Sequence, residues 1–276
     1  MGGQEKQSLP SNLAGARIDY TVHGDGRSSS SVVLLAGFTA PATSWRYQIP
    51  SLIQSGHRVI AVDLPGHGTA PAMLPGTTMQ TRAVVHAFIE QLDLQGAAMI
   101  GGSMGGSTIW SYVDTYGTGR LRAAVVVDQT PRMLNAPEWA YGFYGYDQEK
   151  VDTFFADGIP ATGHGTPDLE TRHAVGPPAC RDRPRRPNPV ATGTRPVKRS
   201  CETRLAFDAR CERSSVLFVA GSDSESWPSA HAAAAAAFAP NGSSTVVARA
   251  GHATNMERPP FVQQLSPNFS IPRPEP

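Results

Sequence analysis

Residues 97–106 read Ala-Ala-Met-Ile-Gly-Gly-Ser-Met-Gly-Gly. This is a short apolar run that turns at a serine among glycines and passes at once into a helix-compatible stretch, Ser107–Tyr116. A serine on so tight a strand-to-helix turn is held in a strained backbone conformation, and its neighbours must be small for the chain to clear itself. Such a turn lifts the serine hydroxyl to the carboxyl edge of a sheet. The helix behind it aims backbone N–H groups and a positive dipole end at the same point, where a developing oxyanion would sit. Ser103 is therefore the candidate nucleophile.

The rest of the chain has the pattern such a turn requires. Short β-branched runs alternate with longer amphipathic stretches, the signature of a parallel sheet with helices on its faces. Strands are predicted at Ala16–His23, Ser31–Ala36, Arg58–Val62, Ala97–Gly101, Ala123–Asp128, Val216–Ala220 and Thr245–Ala248. Runs such as Val32-Val33-Leu34-Leu35 and Val125-Val126-Val127 are apolar at every position, which fits strands covered on both sides. Helices are predicted over Thr78–Leu94, where Val84, Val85, Phe88, Ile89 and Leu92 recur at helical spacing, and over Trp227–Phe238. The 276 residues, 40% of them hydrophobic, suffice for one large domain or a core carrying an insertion.

The alternation breaks between about Pro131 and Arg213. Its first half holds an aromatic patch: Trp139, Tyr141, Phe143, Tyr144, Tyr146, Phe154 and Phe155. Its second half, 172–213, has eleven Lys/Arg against four acids, six prolines and all three cysteines. With few large apolar residues, that stretch is expected to be poorly ordered. The expected division is a core of 1–132 and 214–276 around an insertion at 133–213. The whole chain carries only +1, which argues against nucleic acid or an anionic membrane as partner. Neither a membrane-spanning run nor a secretory signal is read. Cys180, Cys201 and Cys211 are odd in number and lack metal-ligand spacing, so a cytoplasmic setting with free thiols, no metal and no cofactor is expected.

A serine nucleophile needs a base that titrates near neutrality. Of eight histidines, His252 is the candidate, because in Ala248-Arg249-Ala250-Gly251-His252 it directly follows a strand and shares the sheet edge of Ser103. His67, in a glycine-proline turn, reads as structural; His57, His86 and His231 read as packing or surface residues. The strand Ser31–Ala36 ends in Gly37-Phe38, which puts the Phe38 N–H where a second oxyanion donor belongs, beside that of Met104.

Phe38 after its strand-glycine turn, DLPGHG at 63–68, GGSMGG at 101–106 and GHATNMERP at 251–259 together resemble the α/β-hydrolase superfamily. More narrowly they resemble its esterase, lactonase and cofactor-free haloperoxidase-like branch. The resemblance covers roughly 15–160 and 214–262. It implies an α/β fold with a mostly parallel eight-stranded sheet flanked by helices, a cap inserted after strand six, and a Ser–His–acid triad. Ala36 departs from the family's frequent histidine before the glycine, which removes a side chain and leaves the backbone donor.

The resemblance puts the acid after strand seven, three residues beyond Gly221, and that residue is Ser224. Asp223 and Glu225 flank it. Strand six ends in Asp128 at the same sheet edge, and some family members look to carry their acid there, so Asp128 is the favoured acid, with Asp223 and then Glu225 as alternatives. The expected activity is hydrolysis of a small, apolar or aromatic carboxylic ester or lactone through an acyl-enzyme. Two alternatives stay open: perhydrolysis on the same site, and a catalytically impaired hydrolase-like binding protein.

Overall fold

The computed structural model describes residues 6–10, 17–24, 30–70, 78–165 and 214–260. The basic stretch 172–213, all three cysteines and the chain beyond 260 lie outside the described residues. Among the described residues eight strands form one sheet: β1 (Lys6–Pro10), β2 (Arg17–His23), β3 (Ser31–Leu35), β4 (Arg58–Asp63), β5 (Ala97–Gly102), β6 (Leu121–Val127), β7 (Ser215–Gly221) and β8 (Gly242–Val247). Their spatial order is β1-β2-β4-β3-β5-β6-β7-β8. The β1–β2 and β2–β4 pairs are antiparallel and every later pair is parallel. Among the described residues the helices are α1 (Gln48–Gln54), α2 (Thr78–Gln91), α3 (Met104–Tyr116), α4 (His231–Ala236) and α5 (Thr254–Glu257).

Successive strand residues point to opposite faces, and here both faces are buried. Val33, Leu35, Met99, Val126 and Phe218 pack with Val85, Phe88 and Ile89 of α2 and Ile109, Tyr112 and Val113 of α3. Their sequence neighbours Val32, Leu34, Ile100, Val125, Val127 and Leu217 pack on the other side with Trp45 and with Leu52 of α1. This is why the strand runs are apolar without alternation.

Several predicted boundaries shift; α2 ends at Gln91, three residues early, and β6 begins at Leu121, two residues before the expected start. β8 begins at Gly242, three residues before the expected start, because an edge strand with one half-exposed side tolerates Gly242-Ser243-Ser244, which carry no apolar signal. The helix expected over Trp227–Phe238 spans only His231–Ala236, since Trp227 and Pro228 belong to the turn that leads into it. β1 had no counterpart in the strand prediction, and it supplies the eighth strand.

After β6 the chain leaves the sheet and returns at β7. Within the described part of that excursion, Trp139 packs on the main core. Phe143 and Tyr146 instead form a separate cluster with Trp227, against which Phe154 and Phe155 pack.

Phe218 is fully buried at the centre of β7 and stacks on Trp110 of α3, ring centroids 5.1 Å apart. Phe218→Ala is expected to lower stability by about 3–5 kcal/mol through lost burial and the cavity it leaves. The midpoint of urea unfolding measures this, and an unchanged midpoint would contradict the packing described.

Candidate active site

The sheet brings the functional side chains to one edge by register. Gly102 of β5 pairs with Val127 of β6, so the next residues, Ser103 and Asp128, leave adjacent strands side by side. Both sit in the left-handed region, Ser103 at φ 49° and Asp128 at φ 43°. An unfavourable backbone of this kind costs of order 1–3 kcal/mol and persists where surrounding contacts over-determine it. The Ser103 N–H donates to the Val127 carbonyl at 3.0 Å and the Asp128 N–H to the Val219 carbonyl at 2.7 Å. A side chain at Gly105 would collide with the Leu35 carbonyl, so only glycine lets α3 start this close to β3.

His252 reaches this edge from beyond β8. The loop after β8 folds back over the end of β7, where the Asp223 N–H donates to the Ala250 carbonyl at 2.9 Å. A Cβ at Gly221 would strike that same carbonyl. The imidazole then bridges the other two groups: Nε2 lies 2.9 Å from Ser103 Oγ and Nδ1 lies 2.7 Å from Asp128 Oδ2. Trp227 meets the His252 ring edge to face, centroids 5.2 Å apart, and so connects this imidazole to the aromatic cluster of 143–155.

Asp128 is fully buried. Its Oδ1 accepts from the Gly221 N–H at 2.9 Å, and its Oδ2 accepts from the Ser224 hydroxyl at 2.6 Å as well as facing His252. Burial would raise its pKa; against that, the imidazoles of His231 and His252 bring it down to about 2. For His252, burial works to lower the pKa, but the hydrogen bond and charge of Asp128, then the charges of Glu225 and Glu257, outweigh it, and the net shift is upward from 6.5.

The alternative acids are elsewhere. Asp223 accepts from the Ser222 hydroxyl at 2.8 Å. Glu225 does touch His252, but through the backbone: its Oε2 accepts the His252 N–H at 2.6 Å, beside Glu257, whose Oε2 accepts the Gly251 N–H at 2.8 Å. Ser224 hydrogen-bonds the carboxylate that the usual pattern would have had in its place. His231, read from sequence as packing or surface, is fully buried with Nε2 3.7 Å from Asp128 Oδ1. Spacing held no signal for the contacts of Glu225 and His231, because they form between segments that follow different strands; the Glu257 contact closes within the turn after β8.

Gly37 packs against Ser103, an ideal Cβ there lying 3.2 Å from Ser103 Cβ. That contact brings the backbone around Phe38 to the serine from one side, while Met104 opens α3 on the other. A second serine–histidine pair, Ser30 Oγ to His57 Nδ1 at 2.6 Å with Arg122 donating to the same hydroxyl, sits before β3 and β4. It lies at the opposite sheet edge, a strand length of about 15–20 Å from Asp128, and forms no part of this cluster. His67 is held by the Pro65 carbonyl at 3.0 Å, and Asp63 accepts from the Ala42 and Thr69 N–H groups. Among the described residues no group of three or more His, Cys, Asp or Glu could hold a metal ion, and no helix is long and apolar enough to cross a membrane.

Comparison with known proteins agrees with this architecture. A non-heme chloroperoxidase of Kitasatospora aureofaciens is 33% identical over 121 residues, 44% of this chain and 43% of that protein; the match thus spans less than half of the relative's length. Among solved structures, a bromoperoxidase from Bacillus anthracis superposes with a TM-score of 0.70 at 23% identity, covering 94% of this chain and 97% of that one. A thermophilic esterase from Thermogutta terrifontis gives 0.68 at 20% identity, covering 94% and 96%. At these identities the superpositions speak for the fold alone. The family profile described as alpha/beta hydrolase fold matches residues 30–259, and the chain belongs to that family.

Proposed function

We propose that this protein is a serine hydrolase that cleaves a small carboxylic ester or lactone through an acyl-enzyme, with Ser103 as nucleophile, His252 as base and Asp128 as acid. One observation carries the reading: the unbroken chain from Ser103 Oγ to His252 Nε2 at 2.9 Å and from Nδ1 to Asp128 at 2.7 Å. His252 takes the Ser103 proton as Oγ forms its bond to the substrate carbonyl carbon. The resulting oxyanion is held by the N–H groups of Phe38 and Met104. Collapse breaks the bond to the leaving oxygen, which receives the proton from His252. Water, deprotonated by the same ring, then releases the acid and restores Ser103. Asp128 keeps the proton on Nδ1 and stabilises the imidazolium.

We read the described part of the insertion, residues 133–165, as a cap over this edge. The cluster of Phe143, Tyr146, Phe154 and Phe155 joined to His252 through Trp227 supports an apolar or aromatic substrate. The odd, unspaced cysteines support a cytoplasmic setting. A second reading keeps the site and changes the acceptor: hydrogen peroxide in place of water would give a peracid, a reading favoured by the name of the chloroperoxidase relative. Ester cleavage assayed with and without peroxide separates the two.

A fluorophosphonate probe is expected to label the wild type and leave Ser103→Ala unlabelled; a folded wild type that resists the probe would instead be a binding protein. Asp128→Asn is expected to lose on the order of 10³–10⁴-fold in kcat, far more than the double change Asp223→Asn, Glu225→Gln. A larger loss in the double variant would move the acid to the loop after β7.

The labelling rate also carries a pH signature. Only the unprotonated His252 ring accepts the serine proton, and its pKa is raised above 6.5. The rate is therefore expected to fall as pH drops through a midpoint above 6.5, and a midpoint below that value would contradict the Asp128–His252 pairing.

A further inference from the structure

α4 opens on His231, whose N–H donates to the Pro228 carbonyl at 3.0 Å. Its imidazole is fully buried, and neither ring nitrogen has a hydrogen-bond partner among the described residues. Leaving a buried polar group unpaired costs about 1–3 kcal/mol, so an unpaired imidazole in a core calls for an explanation. The nearest acceptor is Asp128 Oδ1, 3.7 Å from Nε2, which is within ion-pair distance and longer than a hydrogen bond. An ionised carboxylate offers about four lone-pair sites. Three are used here, by the Gly221 N–H on Oδ1 and by the Ser224 hydroxyl and His252 Nδ1 on Oδ2. The vacant position is on Oδ1, toward His231. Trp227 stands edge-on to both imidazoles, 6.1 Å from His231 and 5.2 Å from His252, and keeps the three groups in one enclosed cluster.

Resting on the Ser103–His252–Asp128 reading, we propose that His231 is a positioning residue of the site: it carries a proton on Nε2, and that N–H is the fourth donor to Asp128, sharing the carboxylate with the base. A donor on Oδ1 draws negative charge away from Oδ2 and so moderates how strongly Asp128 holds the proton on His252. The second imidazole thereby sets how basic His252 is, without touching the substrate. The other groups that bear on the pair are Tyr144, raised by burial and by the charge of Asp128, and Glu225 and Glu257, whose charges act on His252. None of these occupies the vacant lone pair.

The test follows the titration of His252 by nitrogen-resolved NMR of the imidazoles in the wild type, His231→Phe and His231→Gln. Loss of the donor in His231→Phe is expected to raise the midpoint of His252 by about half to one pH unit, the size of a modest charge-assisted hydrogen bond. In His231→Gln, whose side-chain amide restores an N–H, the midpoint is expected to return toward the wild-type value. Equal midpoints in the folded proteins would reduce His231 to a packing residue and overturn the proposal. The same spectra of the wild type alone report the His231 tautomer. A proton on Nδ1, with bare Nε2 facing Asp128, would overturn the proposal even if neither variant folded. Because the readout is a titration, it stands apart from the hydrolase reading: a wild type that resists the fluorophosphonate probe would sink that reading, while a shifted His252 midpoint would still support the role of His231.

Discussion

A carboxylate with no exposed surface lies at the centre of this molecule's working edge. Moving an isolated carboxylate out of water is so unfavourable that the group would take up a proton instead. Asp128 remains ionised because the loops around it replace its water with aimed donors: the Gly221 N–H, the Ser224 hydroxyl and the His252 ring. These donors come from the end of β7, the loop after it and the loop after β8. Its own N–H is fixed to Val219 of β7. Asp128 thus ties the carboxyl ends of three neighbouring strands together, and the position of His252 follows from it.

The same buried charge accounts for the company His252 keeps. A ring hydrogen-bonded to an ionised carboxylate is favoured in its protonated form, and two further carboxylates hold consecutive backbone groups leading into it: Glu257 at the Gly251 N–H and Glu225 at the His252 N–H. Their contribution is geometric as well as electrostatic. They fix the backbone that carries the imidazole toward Ser103, and of the two acids that looked from sequence like rivals to Asp128, Glu225 holds the His252 backbone while Asp223 pairs with Ser222. On the other side, the left-handed backbone at Ser103 stores strain that the packed start of α3 and the hydrogen bond to Val127 hold in place.

Sequence patterns revealed those parts that depend on local periodicity. Central strands buried on both sides are apolar throughout, and the turn at Ser103 requires glycines, so both are visible in a few consecutive residues. The pairing of Ser103 with His252 was also legible, because each directly follows a strand and parallel strands end at a common edge. What escaped was non-local or lacked an apolar signal. β8 starts in Gly242-Ser243-Ser244, which an edge strand accepts, and β1 pairs along only one side. The roles of Ser224, Glu225 and His231 depend on how three loops fold over one another, which no spacing along the chain encodes.

Ser224 shows how a buried carboxylate at the end of β6 and the loop after β7 fit together. An aspartate at both places would set two carboxylates against one imidazole, and like charges at that separation cannot both stay ionised in a buried site. A serine at the position after β7 avoids that conflict and reverses the local chemistry, since its hydroxyl donates where a carboxylate could only accept. With the hydroxyl 2.6 Å from Asp128 Oδ2, Ser224 stabilises the charge of the buried carboxylate at the end of β6. The two positions are complementary: a change at Ser224 would leave Asp128 short of a donor or facing a second negative charge.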